Sequence, residues 1–99
     1  MKAPPRDIDN ARVLRYAIID ERCTPTGLCE HRILGAEFPM GPATSLAICR
    51  YPKNPGYYLF HCDEIWAVQS DGYHDSLEEA ERQAELEYTG VSACWIQAL

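Results

Sequence analysis

The stretch from 45 to 70, SLAICRYPKNPGYYLFHCDEIWAVQS, decides the fold class of this chain. It contains three runs rich in β-branched and aromatic residues, the composition typical of β-strands. The runs are 45–51, 57–62 and 65–70. Two short connections, at 52–56 and 63–64, separate them, and connections of this length join neighbouring antiparallel strands. The stretch therefore predicts a three-stranded antiparallel meander.

A helix over 77–88 follows this meander. Ser76 and Glu79 have the spacing of a capping box, and Gly90 suits the left-handed conformation that ends many helices. At about 100° per residue, four residues form one apolar stripe that we expect to be buried. They are Leu77, Ala80, Ala84 and Tyr88. Leu86 falls on the opposite side, so we expect it to be exposed or covered by a partner.

The remaining elements complete an α+β fold in one domain, 1–99, because a chain of this length forms a single core. The run at 12–20 predicts a further strand, although its apolar spacing also fits one face of a helix. Short strands are expected at 31–35 and 93–97, and 1–10 is expected to be a flexible tail. The prediction is an antiparallel sheet of four to six strands, with one C-terminal amphipathic helix packed on one face.

The lengths of the two connections predict which side chains share a face of the meander. The face expected to pack on the helix carries Leu46, Ile48, Tyr58, Phe60, Cys62, Ile65 and Ala67. The opposite face carries Ala47, Cys49, Tyr51, Tyr57, Leu59, His61, Trp66 and Val68. Because that face is also apolar, we expect the N-terminal half to cover it, the alternative being a partner such as a second copy. An error of one residue in either connection would exchange the faces.

The negative charge of the chain is concentrated in its second half. Residues 1–50 carry seven Lys or Arg against six Asp or Glu, and residues 51–99 carry two against nine, so the halves have net charges of +1 and −7. Six of the acids lie between Asp75 and Glu87. A field of this sign repels phosphate backbones and attracts basic proteins, which argues against nucleic-acid binding.

The five cysteines are expected to be free thiols in a cytoplasmic protein. Their number is odd, the N-terminal residues do not resemble a secretory signal, and no apolar run reaches the length that spans a membrane. Cys49, Cys62 and Cys94 are expected to be core residues, whereas Cys23 and Cys29 are expected beside turns without a partner.

A thiol or metal site is the alternative function that the residues leave open. Its candidate ligands are Cys23, Cys29, His31, His61 and Cys62, with Cys49 as a further thiol. The paired clips that make a zinc site recognisable are missing from this set, so we expect no metal and no cofactor. Adjacent strand residues point to opposite faces, which leaves Cys49 and His61 as the conceivable catalytic pair. With no catalytic motif in the sequence, we do not expect an enzyme.

The second half of the chain resembles a pattern found in small bacterial proteins to which no activity is attached. The residues that carry the resemblance are Tyr57-Tyr58-Leu59-Phe60-His61-Cys62-Asp63, Trp66, Ser76-Leu77-Glu78-Glu79-Ala80, Gln83-Ala84-Glu85, Tyr88 and Gly90. The resemblance implies a bacterial, cytoplasmic origin and says nothing about mechanism.

The function expected from these features is binding of a basic protein, in a regulatory or immunity-like role. Complementary charge speeds encounter and selects partners, and an exposed leucine among acids supplies apolar contact area. The candidate binding residues on the helix are Glu78, Glu79, Arg82, Glu85 and Leu86. Those on the sheet are Tyr51, Tyr57 and Trp66, through which a homodimer is also conceivable.

Overall fold

The computed structural model describes residues 2–26 and 43–98 and shows the predicted α+β class, an antiparallel sheet curled into a half-barrel with one helix. The strands are β1 Asp7–Ile8, β2 Ala11–Ile18, β3 Thr24–Pro25, β4 Ser45–Arg50, β5 Tyr57–Cys62, β6 Val68–His74, β7 Tyr88–Thr89 and β8 Ile96–Gln97. Helix α1 is Leu77–Glu87, and a 3-10 helix, Val91–Ala93, follows β7. The order in the sheet is β1-β2-β4-β5-β6, β8 pairs with β2, and β3 pairs with β7 separately.

The first strand corrects the expectation of a flexible tail over 1–10. Strands β1 and β2 form a hairpin in which Asp9 and Asn10 both have positive φ, 49° and 69°. Two such residues give the turn whose twist matches a two-residue hairpin, and Asp and Asn tolerate this conformation. Ile8 is only 5% exposed, so burial of its side chain ties the segment to the sheet.

The observed register between β4 and β5 places the residues of β5 on the faces opposite to those predicted. Leu46 lies opposite His61, and Ile48 lies opposite Leu59. Strand β4 ends at Arg50, so the connection to β5 is one residue longer than predicted and the pairing slides by one position. The residues predicted to face the helix but found on the opposite face are Tyr58, Phe60 and Cys62.

The connection between β5 and β6 is also longer than predicted. A carboxylate oxygen of Asp63 accepts hydrogen bonds from the backbone N–H groups of Ile65 and Ala67, both at 2.9 Å. Aspartate stabilises turns in this way, and the turn occupies 63–67. The strand predicted over 65–70 is therefore displaced toward the helix, and Ile65 is 77% exposed in the turn.

The core between sheet and helix is built on the predicted stripe. Ala80 and Ala84 are fully buried, and their small side chains let α1 approach the sheet closely. The hydroxyl of Tyr88, also buried, accepts a hydrogen bond from the Ala43 backbone N–H at 2.8 Å. The sheet residues in this core include Ala17, Leu46, Ile48 and Leu59.

The N-terminal part of the chain meets the second face differently from the expected cover, because β1 and β2 are strands of the same sheet and extend this face. Ile8 and Val13 are buried there in the same cluster as Phe60. Trp66 is 7% exposed, and its indole N–H donates to the Lys2 carbonyl at 3.0 Å. Across 2–26 and 43–98 the middle of this face is therefore filled by the chain itself, which argues against a homodimer that packs through it.

The start of the helix forms as predicted, whereas its end does not. The Ser76 hydroxyl accepts from the Glu79 N–H at 3.1 Å. The helix ends at Glu87 with Tyr88 as an extended C-cap, and Gly90, with a φ of 102°, instead begins the 3-10 helix. The last strand is shorter than the predicted 93–97, because the 3-10 helix takes up its first residues, and the predicted strand at 31–35 lies outside the described residues. None of the described helices has the length and apolar character needed to cross a membrane.

Candidate functional site

The outer face of α1 contains most of the predicted binding residues. Glu78, Glu79, Arg82 and Leu86 are all exposed. The helix holds this surface in place through its cap, where Glu79 also accepts a hydrogen bond from the Asp75 N–H at 3.2 Å. The acidic side chains of the first turn lie at the positive end of the helix dipole, which stabilises their charged form.

Leu86 is the large apolar side chain on this face, and it is 53% exposed. It faces solvent because it lies opposite the buried stripe, as the helical spacing predicts. Its backbone is fixed by a neighbouring segment, since the Thr26 hydroxyl donates to the Leu86 carbonyl at 2.6 Å. Leu86 thus combines an exposed side chain with a backbone that a hydrogen bond fixes in place.

Two acids of the helix, Glu85 and Glu78, differ in how far their carboxylate oxygens are already hydrogen-bonded. Glu85 accepts three hydrogen bonds, from the Gly90 N–H at 2.9 Å, the Ser92 N–H at 3.0 Å and the Ser92 hydroxyl at 2.8 Å. These bonds hold the pKa of Glu85 below its ordinary value. Glu85 therefore supports the turn after the helix and contributes to the surface only through its charge.

Glu78 keeps its carboxylate available. A pair with Arg82 would fit the helical spacing, but no ion pair joins these side chains in the described part of the chain. Glu81, another acid of the helix, forms an ion pair with Arg15 of β2 on the side of α1 away from Leu86. Glu78 and Arg82 therefore both extend into solvent.

The three predicted sheet residues do not form one surface. Tyr51 packs edge-on against Tyr58 at 5.1 Å on one side of the sheet. Tyr57 lies on the other side, under the Arg50 guanidinium at 5.2 Å, because neighbouring strand residues alternate. Trp66 is buried against Tyr16. Tyr57 and Trp66 therefore do not share an exposed sheet surface with Tyr51.

A buried polar pair lies beneath the helix, and the sequence analysis missed it. His61 Nε2 and Glu87 Oε1 are 2.6 Å apart, with side chains 5% and 7% exposed. Gln83 donates to the other Glu87 oxygen at 2.8 Å. The sequence does contain a signal, since Glu87 lies three residues after Ala84 and therefore on the buried stripe. The register error hid the other half of the pair, because it placed His61 on the wrong face.

The candidate thiol and metal ligands that the structure describes are dispersed. Cys49 and His61 lie on opposite faces of the sheet, so they do not form the conceivable catalytic pair. Cys62 faces away from His61, while Cys29 and His31 lie outside the described residues. Within 2–26 and 43–98, no group of three His, Cys, Asp or Glu side chains is arranged to hold a metal ion.

Cys23 departs from its expected setting beside a turn without a partner. It is buried, and its sulfur lies 3.7 Å from that of Cys94. Burial raises the pKa of the Cys23 thiol to about 11. The predicted core positions of Cys49, Cys62 and Cys94 are confirmed, since all three are buried.

Positive charge gathers at a different place from the helix. An open groove of about 530 Å³ is lined by Arg6, Arg12 and Arg50, with Asp7 as its one acid. Its lining comes from the N-terminal segment, β1, β2 and the end of β4, and includes no residue of α1. This positive groove is therefore separate from the acidic outer face of the helix.

Comparison with known proteins gives no relative from which a function follows. No protein-family model, no curated protein and no solved structure matches this chain.

Proposed function

We propose that this chain is a protein-binding domain that engages a basic protein through the outer face of α1, in a regulatory or immunity-like role. The single observation that carries the proposal is Leu86, which is 53% exposed on a face where Glu78 and Glu79 are also exposed. Interfaces commonly combine one apolar anchor with a charged rim.

The charges of the face suit a basic partner. The carboxylate of Glu78 has no cationic partner in the described residues, so a lysine or arginine of another protein can pair with it. Three arginines, Arg6, Arg12 and Arg50, line the groove away from the helix, whereas the acids of the outer helix face outnumber its single arginine, so the two regions have opposite net charge. Such a separation orients an approaching basic surface and raises the association rate at low salt.

The leucine supplies affinity where the charges supply orientation. Fully burying one leucine side chain contributes about 1.5 to 3 kcal/mol, which corresponds to roughly 10- to 100-fold in affinity. The Leu86 backbone is held by Thr26, so little ordering of the backbone accompanies binding. Specific interfaces bury about 800 Å² on each partner, so neighbouring surface must also contribute.

Two pairs of variants test the proposal in a capture experiment. Leu86→Lys and Glu78→Lys change the helix face, whereas Ile65→Lys and Glu64→Lys make the same changes in the exposed turn between β5 and β6. The wild type and the four variants are immobilised, and proteins captured from a lysate of the source organism are quantified by mass spectrometry. Circular dichroism first confirms that each variant folds.

The proposal expects a basic protein that is captured by the wild type and by both turn variants. Capture of this protein should fall strongly with both helix variants. The proposal is wrong if every basic protein captured by the wild type is retained equally by the two helix variants. It is also wrong if the turn variants lose the protein as fully as the helix variants do.

A further inference from the structure

Two buried thiols that are distant in sequence meet beside the end of the helix. The sulfurs of Cys23 and Cys94 are 3.7 Å apart, and each residue is 5% exposed, although 71 positions separate them in the chain. A disulfide requires a sulfur separation of about 2 Å, which side-chain rotation achieves when the backbones are already suitably close. The two cysteines are therefore in contact without being bonded.

The surrounding backbone holds the two cysteines together. Cys23 closes a turn in which its N–H donates to the Asp20 carbonyl at 3.0 Å, and Cys94 follows the 3-10 helix, with its N–H bonded to the Val91 carbonyl at 2.8 Å. Strands β3 and β7 pair between these two turns. Gly90 packs so tightly that a Cβ there would lie 2.3 Å from the Arg22 carbonyl oxygen. Separating the sulfurs would require disrupting this packing.

We propose that Cys23 and Cys94 are an oxidation site that a hydroperoxide converts to an intrachain disulfide. In the first step, one thiol loses its proton and its sulfur attacks the peroxide O–O bond, which breaks to give a sulfenic acid and water or an alcohol. The sulfur of the second cysteine then displaces the sulfenic oxygen, which leaves as water. Two protein thiols are oxidised by two electrons, and one hydroperoxide is reduced.

A small oxidant suits the burial of the pair. Because both residues are 5% exposed, hydrogen peroxide has easier access than a bulky disulfide reagent. The raised pKa of Cys23 keeps that thiol protonated at neutral pH, so its reaction is slow and needs an oxidising condition.

The other described cysteines provide internal controls. Cys49 and Cys62 are fully buried in the core on the second face of the sheet, and burial raises the pKa of both thiols. Neither has a sulfur contact in the described part of the chain of the kind that joins Cys23 and Cys94. Peroxide should therefore leave these two thiols reduced while the Cys23 and Cys94 pair reacts.

The experiment uses the full chain carrying Cys29→Ser, because Cys29 lies outside the described residues and shares a tryptic peptide with Cys23. The reduced protein is treated with hydrogen peroxide, remaining thiols are alkylated, and tryptic peptides are mapped without reduction. Cleavage after arginine places Cys23 in peptide 23–32 and Cys94 in peptide 83–99. The expected product is these two peptides joined by one disulfide.

Oxidation should also raise the thermal unfolding midpoint, because the crosslink closes a long loop, and dithiothreitol should reverse the rise. Adding Cys94→Ser should abolish both the crosslinked peptide and the shift in midpoint, whereas adding Cys62→Ser should leave both. The proposal is overturned by any other disulfide pairing, by sulfinic or sulfonic acid at Cys23 without the crosslink, or by two thiols that stay reduced in peroxide.

Discussion

Replacing His61 with leucine removes one side of a buried hydrogen-bonded pair and keeps the other. Glu87 Oε1 lies 2.6 Å from His61 Nε2, and the Glu87 side chain is only 7% exposed. A buried carboxylate that loses a partner is not compensated by water, and breaking such a pair costs about 3 kcal/mol. This is a large part of the stability of about 5 to 15 kcal/mol expected for a domain of this size.

The size of the loss can be separated from simple packing effects by a double-mutant cycle. His61→Leu combined with Glu87→Leu removes both members of the pair, so much of the single-variant loss should be regained. The free energy of unfolding is measured by urea denaturation followed by circular dichroism. Arg22→Leu is the surface control, because it breaks the exposed pair with Asp20 and should change stability far less.

Two results would refute this reasoning. One is a loss for His61→Leu no larger than that for Arg22→Leu. The other is a double variant whose loss equals the sum of the two single losses, because additivity would mean that the two side chains do not interact energetically.

Three further predictions concern the start of the helix and the segment that follows its end. Ser76→Ala should lower the free energy of unfolding by about 1 kcal/mol, and an unchanged denaturation midpoint would mean that the cap is misplaced. Gly90→Ala should lower the free energy of unfolding by more than about 1 kcal/mol, because φ is 102° and the new Cβ would meet the Arg22 carbonyl. Gly72→Ala is the control, since its Cβ would meet only ordinary contacts and its loss should be smaller. Equal losses for the two variants would contradict this prediction. The lowered pKa of Glu85 gives stability that is present above its unfolded pKa of about 4.3 and is lost as pH falls through the folded pKa. Glu85→Gln should therefore flatten the fall in the free energy of unfolding at acid pH. An unchanged fall would contradict the stabilising role given to Glu85.

The features that depend on neighbouring residues were predictable from sequence. The helix from Leu77, its Ser76 cap and the exposure of Leu86 all follow from spacing within one segment. The fold class was predictable for the same reason, since β2, β4 and β5 each carry their own β-rich composition. These features need no knowledge of where distant parts of the chain pack.

The features that depend on pairing between segments were less predictable. One extra residue in the connection before Tyr57 moved His61 to the helix side of the sheet and hid its contact with Glu87. The contact between Cys23 and Cys94 joins positions 71 apart, and nothing in either local sequence indicates it. A side chain such as Asp63, which bonds the backbone of its own turn, sets the length of a connection that composition alone does not define.

The measurement that tests the central claim most directly is the affinity of the captured basic partner for Leu86→Ala and for Ile65→Ala, taken by titration calorimetry. Both residues are large, apolar and exposed, at 53% and 77%, but they lie on the helix face and in the β5–β6 turn respectively. Binding through the helix predicts a loss of roughly tenfold or more for Leu86→Ala, about 1.4 kcal/mol, and little change for Ile65→Ala. Equal affinity of Leu86→Ala and the wild type would contradict the proposed function.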